Sequence, residues 1–131
     1  HPHRVLGQIR DAGMIPGMAI YPGTPLTRLD YLLSLTERIV IFGQEPGVSG
    51  PIRNAFYDRI RILKENIRYR EHRIDLVAVG GLDAVAMGRV ARLGVDYVVV
   101  DLEEILRPQE GGLVSSIALL RDALAVSEKM A

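Results

Sequence analysis

The chain of 131 residues contains no cysteine. A disulfide scaffold and a thiolate metal site are therefore excluded, and a reducing compartment, the cytoplasm, is the default expectation. Neither sign of charge is in excess: 16 basic and 16 acidic side chains give a formal net charge of zero. No global field draws such a chain to nucleic acid or to an acidic membrane surface. No apolar run approaches the roughly 18 residues that a membrane span needs. No signal-peptide pattern stands at His1-Pro2-His3-Arg4. Aromatic residues are scarce, at 5%, but hydrophobic residues as a whole reach 48%. That is enough apolar surface for one packed domain and too much for an intrinsically disordered chain.

Four short apolar runs are present: Pro16 to Ile20, Ile39 to Phe42, Leu76 to Val79 and Tyr97 to Val100. Each is continuously apolar rather than alternating, as in strands buried on both faces of a parallel sheet. Helical patterns lie between them. Val5, Leu6 and Ile9 precede Gly13. Thr24-Pro25 reads as an N-cap followed by proline at the first helical position, with Leu26, Leu29, Leu32 and Leu33 on one face. Phe56, Ile60, Leu63 and Ile67 form a stripe at helical spacing. Asp83 reads as the cap of a helix carrying Ala86, Met87, Val90 and Leu93, ended by Gly94. Leu113 to Met130 reads as a last amphipathic helix with Ile117, Leu120 and Leu124 on one side. The order is helix, then four strand–helix units, which predicts an α/β protein with a parallel sheet, a single unit over residues 1–131.

In such proteins function gathers at the carboxyl ends of the strands. Four loops qualify: Tyr21 to Pro25, Gly43 to Gly50, Gly80 to Asp83 and Asp101 to Glu104. Gly80-Gly81 leads from a strand straight into a helix, where two glycines let backbone N–H groups approach an anion at the helix N-terminus. By itself the pair is a weak signal and reads first as a plain turn.

In combination the loops resemble the ribulose-phosphate 3-epimerase family. The stretch Gly17 to Leu26 with Leu29-Asp30-Tyr31 resembles its "G-x-x-x-N-P-x-T-P-L … L-D-Y" segment. Ile39 to Gly50, containing Glu45-Pro46-Gly47 and Gly50, is similar to its "M-x-V-x-P-G-F-G-G-Q" loop. Val77 to Leu82 resembles its "V-D-G-G-I" strand end, and Gly94-Val95-Asp96 with the following valines resembles its "G-A-D … V-A-G-S" unit. The resemblance implies a (β/α)8 TIM-type barrel of the ribulose-phosphate-binding kind, of which this chain is the C-terminal half with four parallel strands and flanking helices. A whole barrel takes about 200 to 250 residues. The chain is accordingly expected to begin inside the helix before the fifth strand, and to be either the remainder of a longer chain or a homo-oligomer that closes the barrel. The resemblance also implies epimerisation of a ketopentose phosphate in the pentose phosphate part of carbohydrate metabolism. Two aspartates serve as acid and base beside a divalent metal held by histidines and those same aspartates, the metal stabilising the enediolate.

The chain departs from that pattern where the chemistry sits. The aspartate of "V-D-G-G" is Val79, so one acid/base group and metal ligand is missing. The Gly-Ser that helps bind phosphate is Asp101-Leu102, and a carboxylate there repels a phosphate dianion. The asparagine of "N-P" is Tyr21, the loop methionine is Phe42, and the loop's last glutamine is Pro51, while Gly47, Gly50, Gly80 and Gly81 are retained. The expected small-molecule site is therefore Phe42, Gly47, Gly50, Gly80, Gly81, Asp101 and Leu102, taking a sugar or sugar phosphate, with no catalytic residue and no metal ligand assigned. Two functions stand: a divergent isomerase of the epimerase family, or a non-catalytic homologue that binds a small molecule or a protein partner. His1 and His3 read as a solvated terminus rather than metal ligands.

Two further features have bland readings. Residues 52 to 73 hold seven basic side chains against three acidic ones. With no aromatic platform between them, they read as the solvated outer face of a barrel helix rather than a nucleic-acid surface. Asp101, Glu103 and Glu104, with Asp83 and Glu45 in neighbouring loops, read either as a divalent-cation site or as an acidic bias at a helix N-terminus.

Overall fold

The computed structural model describes residues 1–106 and 112–125. Strands β1 (Gly17–Ile20), β2 (Arg38–Phe42), β3 (Asp75–Val79) and β4 (Tyr97–Val99) form one sheet in that order, every pair parallel. Helices α1 (Pro2–Asp11), α2 (Asn54–Arg68), α3 (Ala84–Arg92), the one-turn α4 (Leu102–Ile105) and α5 (Gly112–Ala125) accompany them. The strand order never reverses. A sequential parallel order winds a barrel wall, whereas a doubly wound sheet switches direction part-way. The chain is thus an α/β unit of barrel type with four parallel strands.

The register assigns every strand residue to a face. Ile39 and Ile41 lie beside Leu76 and Ala78, and all four are fully buried. They pack in one cluster with Leu33, Phe56, Ile60, Leu63, Met87 and Val90 from the helical layer. On the other face Ala19, Val40, Val77 and Tyr97 share one row, and Phe42, Val79 and Val99 share the next. This is the face that lines the interior of a barrel. Ile41 lies on the helix-packed face and Val40 on the interior one. Parallel pairing sets Ala19 against Val40, and side chains alternate along a strand.

Local departures from the sequence pattern have physical causes. The helix expected after Thr24-Pro25 is replaced by two 3₁₀ turns, Leu26–Leu29 and Leu33–Leu35. Thr24 is not a helix cap: its hydroxyl accepts from the Tyr21 N–H (3.4 Å), closing a tight turn. Leu29 and Leu33 are buried all the same, and the buried Thr36 ends the segment by donating its hydroxyl to the Leu32 carbonyl at 2.8 Å. In α5 the buried residues are Ser116 and Leu120, with Leu124 partly buried. Ile117 is exposed, against the expectation, and Gly88 lets α3 approach α5, where a Cβ would lie 3.3 Å from the Ala123 carbonyl. Residues 126–130 of the expected last helix, and the loop residues 107–111, lie outside the described residues.

The amino ends of the strands carry a charged network. Asp75 pairs with Arg73 (2.8 Å) and Arg38 (3.3 Å), and Asp96 with Arg73 (3.3 Å) and Lys64 (3.4 Å). Asp96 also accepts the Leu76 N–H at 2.9 Å, and Arg38 lies over the Tyr97 ring. Two cations of the basic stretch, Lys64 and Arg73, are therefore held in ion pairs at the amino end of the sheet.

Two expectations follow from this architecture. Burial opposes ionisation of Asp75, but hydrogen bonds and charge from Arg73 and Arg38 outweigh it and hold its carboxyl below the ordinary value of 3.8. A depressed folded-state pKa stabilises the fold above the unfolded value, and that contribution disappears as pH falls through the folded value. Asp75→Asn should flatten the pH dependence of the melting temperature below about pH 4, read by thermal denaturation across pH 2–7. The second expectation concerns the open interior face. Tyr97 and Val99 on the edge strand are 51% and 48% exposed, and Leu113 and Val114 on α5 are 52% and 79% exposed. Unpaired strand edges beside apolar surface are sites of association. The 131-residue chain should self-associate in size-exclusion chromatography with light scattering, or bind a hydrophobic dye. A sharp monomer peak with a cooperative melt and no dye binding would contradict this.

Candidate functional site

The carboxyl ends of β2, β3 and β4 bring Phe42, Val79 and Val99 into one row facing the interior. The Tyr21 ring, just beyond β1, stacks on Phe42 with centroids 4.5 Å apart. Gly43 donates its N–H to the Val79 carbonyl (2.8 Å) and so extends the β2–β3 pairing one step past the strands. Only glycine fits there: a Cβ would strike Ile52 Cδ1 and lie 2.8 Å from the Gly80 carbonyl oxygen. Gly80 and Gly81 follow with φ of +88° and +67°, two successive left-handed residues that swing the chain from β3 to the start of α3. Asp83 caps α3, its Oδ1 accepting the Ala86 N–H at 2.8 Å, as its position in the sequence suggests.

One contact decides the polarity of this end of the sheet. The Gly81 N–H donates to Asp101 Oδ2 at 3.3 Å. Asp101 sits at the N-cap position of α4 but makes no capping bond there; its carboxylate turns across to Gly81 instead. The glycine amide that a left-handed turn presents to an anion is thus taken by the chain's own carboxylate. Gln44 completes the arrangement. Its side-chain amide donates to the Gly50 carbonyl and lies where a Cβ on Gly81 would fall, 2.8 Å away. Around these groups is a cavity of about 580 Å³, lined by Gln44, Gly81, Arg89 and three carboxylates, Asp83, Asp101 and Glu103. Arg89 rests on the face of the buried Tyr57 ring, 3.6 Å from its centroid, and donates to Asn54 Oδ1 at 3.2 Å. Burial raises the Tyr57 hydroxyl above its ordinary pKa, against the opposing charge of Arg89.

A second cavity, about 550 Å³, lies on the other side of Gln44 and Pro51, between the 43–53 loop and α2. Its lining includes Phe42, Glu45, Val48, Arg53, Phe56 and Arg59. Arg59 is a clamp: one guanidinium nitrogen donates to the carbonyls of Tyr21 (3.2 Å) and Thr24 (2.8 Å). Burial lowers its pKa, partly offset by the charge of Glu45. Glu45 in turn accepts the Gly23 N–H at 2.7 Å.

Of the residues expected from the sequence, Phe42, Gly80, Gly81 and Asp101 converge at the strand ends. Gly50 joins them through Gln44. Gly47 is an exposed turn residue with φ +76°, and Leu102 is 66% exposed on α4. Arg59 was hidden in the basic stretch expected to face solvent. Its position, one residue before Ile60 in the buried stripe of Phe56, Ile60 and Leu63, is the signal that separates it from its neighbours.

A protein-family comparison matches residues 1–103 to the family described as "Ribulose-phosphate 3 epimerase family". The chain belongs to the ribulose-phosphate 3-epimerase family. Relatives include the ribulose-phosphate 3-epimerase of Aquifex aeolicus, 30% identical over 91% of this chain and 58% of that protein. The enzyme of that name from Rhodobacter capsulatus is 33% identical over 76% of this chain and 42% of that protein. The chain therefore spans about half the length of these relatives. Among solved structures, the Amycolatopsis orientalis BexX/CysO complex matches at 20% identity and TM-score 0.68, over 96% of this chain and 48% of that chain. A mutant tryptophan synthase α-subunit from Pyrococcus furiosus matches at 20% identity and TM-score 0.64, over 96% of this chain and 51% of that chain. These two share the fold.

The family resemblance implies a divalent metal with an aspartate ligand at the end of β3. Position 79 offers a valine, and no group of three or more His, Asp or Glu side chains among the described residues could hold an ion. Asp101 and Glu103 stand at the start of α4 and Asp83 at the start of α3, while the side chain of Glu104 lies outside the described residues. No helix among the described residues is long and apolar enough to cross a membrane.

The Gly81–Asp101 contact predicts the response of this site to phosphate. Asp101→Gly frees the Gly81 amide and removes a negative charge, and should strengthen inorganic phosphate binding about fivefold to tenfold in calorimetric titration. Unchanged binding would mean that the carboxylate does not guard this amide.

Proposed function

We propose that this chain keeps a carbohydrate-binding pocket of the epimerase family, for a sugar or sugar phosphate, while carrying little or none of the parent 3-epimerisation. The observation that supports this is Val79, whose place in the row with Phe42 and Val99 points an apolar side chain into the mouth where the family pattern has an aspartate. Proton abstraction beside a carbonyl needs a base within hydrogen-bond reach of the carbon-bound proton, and an alkyl group supplies none. The retained glycine turn and the two cavities support a pocket that still takes a small molecule.

A second reading is favoured by the carboxylates. Asp83, Asp101 and Glu103 line one cavity, and two carboxylates on opposite sides of a substrate are sufficient for acid–base exchange at carbon. On that reading the chain is a divergent isomerase acting on a different sugar, with its proton-transfer groups moved from β3 to β4. Asp83 and Asp101 already hold the Ala86 and Gly81 amides, which favours the first reading.

A coupled assay with D-ribulose 5-phosphate tests the choice. The expected turnover is at least about 10²- to 10⁴-fold below that of a catalytically complete relative, the usual cost of losing one positioned proton-transfer group. Val79→Asp should raise it. Robust turnover by the unaltered chain would refute the proposal.

A further inference from the structure

Two groups on the wall of the cavity beside α3 are of the kind that receives an anion: the amide of a left-handed glycine and the first turn of a helix. The chain's own carboxylates already hold both, Asp101 the Gly81 N–H at 3.3 Å and Asp83 the Ala86 N–H at 2.8 Å. The Gln44 side-chain amide also covers the turn, 2.8 Å from the point where a Cβ on Gly81 would lie, and gives its N–H to the Gly50 carbonyl. Arg89, the arginine lining this cavity, is stacked on the Tyr57 ring and bonded to Asn54. What the wall still offers is mainly acceptors. An ionised carboxylate accepts at both oxygens, and the bonds within the chain take Oδ2 of Asp101 and Oδ1 of Asp83. The other oxygen of each, with Glu103 beside them, faces a cavity that a ligand's donors can fill. Alcohol O–H groups are such donors. A phosphate dianion brings acceptors alone and adds about two negative charges to those of three carboxylates.

We propose that Asp101 is a specificity-determining residue that makes this site select an unphosphorylated sugar over its phosphate ester. The inference rests on the reading of a retained carbohydrate pocket and narrows it to ligands whose end at the β3–β4 side is a neutral hydroxyl. The selection has two parts. The Asp101 carboxylate occupies the Gly81 amide, so an incoming phosphate finds that donor taken. Its charge, with those of Asp83 and Glu103, repels a dianion while accepting from a hydroxyl. Both parts hold whether the chain epimerises the sugar or only binds it.

Calorimetric titration of the chain with D-ribulose and, separately, with D-ribulose 5-phosphate tests this. At low ionic strength D-ribulose should bind at least about tenfold more tightly than its 5-phosphate. In about 1 M salt, where the screening length falls to about 3 Å, the difference should narrow. Asp101→Asn keeps an acceptor for the Gly81 amide and removes the charge, and should narrow the preference at low salt about fivefold. The salt dependence of the unaltered chain reads the same repulsion without a substitution. Equal or tighter binding of the 5-phosphate overturns the inference and leaves the pocket reading standing. A preference that neither salt nor Asp101→Asn narrows also overturns it, because the selection then does not run through the Asp101 charge. Binding of neither ligand overturns the pocket reading, and the inference with it.

Discussion

The parallel register between β2 and β3 is the constraint on which the remaining structure depends. Ile39 and Ile41 lie beside Leu76 and Ala78; a slip of one residue would put Val40 and Val77 under the helices and turn these four toward the interior. The same register fixes Phe42 and Val79 as neighbours at the carboxyl edge, lets Gly43 pair with Val79, and delivers Gly80 and Gly81 to the mouth. At the other end it sets Arg38 beside Asp75, where the ion-pair network closes the bottom of the sheet. Core, mouth and base are consequences of one alignment.

Much of this was legible in the sequence because it rests on local patterns. Four apolar runs gave the four strands to within a residue at each end. The stripe of Phe56, Ile60, Leu63 and Ile67 and the Asp83 cap located α2 and α3. The segment after Thr24 misled because a threonine before a proline carries the same signal whether its hydroxyl caps a helix or closes a turn on Tyr21. The exposed side of α5 misled for another reason. Leu120 and Leu124 face inward as their spacing suggests, but nothing in that spacing tells that Ser116 rather than the apolar Ile117 joins them. Contacts that join distant residues, such as Asp101 to Gly81 or Arg59 to Tyr21, are set by the packing of separate strand–helix units and leave no local trace.

The substitutions at the mouth are physically coherent with one another. A carboxylate at position 79 would stand between Phe42 and Val99 in a row that is otherwise apolar, and desolvation there disfavours its ionised form unless a cation or donor faces it. Valine removes that cost and adds apolar surface to the interior. Moving the negative charge to position 101 places it on an exposed loop beside the amide of a left-handed glycine, a donor that is cheap to satisfy and already aligned. On the β3–β4 side of the mouth the Gly81 amide is thus satisfied from within the chain. On the β1–β2 side no carboxylate caps α2, and the guanidinium of Arg59 holds two carbonyls while one of its N–H groups remains unpaired. The glycines common to the family pattern therefore shape the turn in this chain.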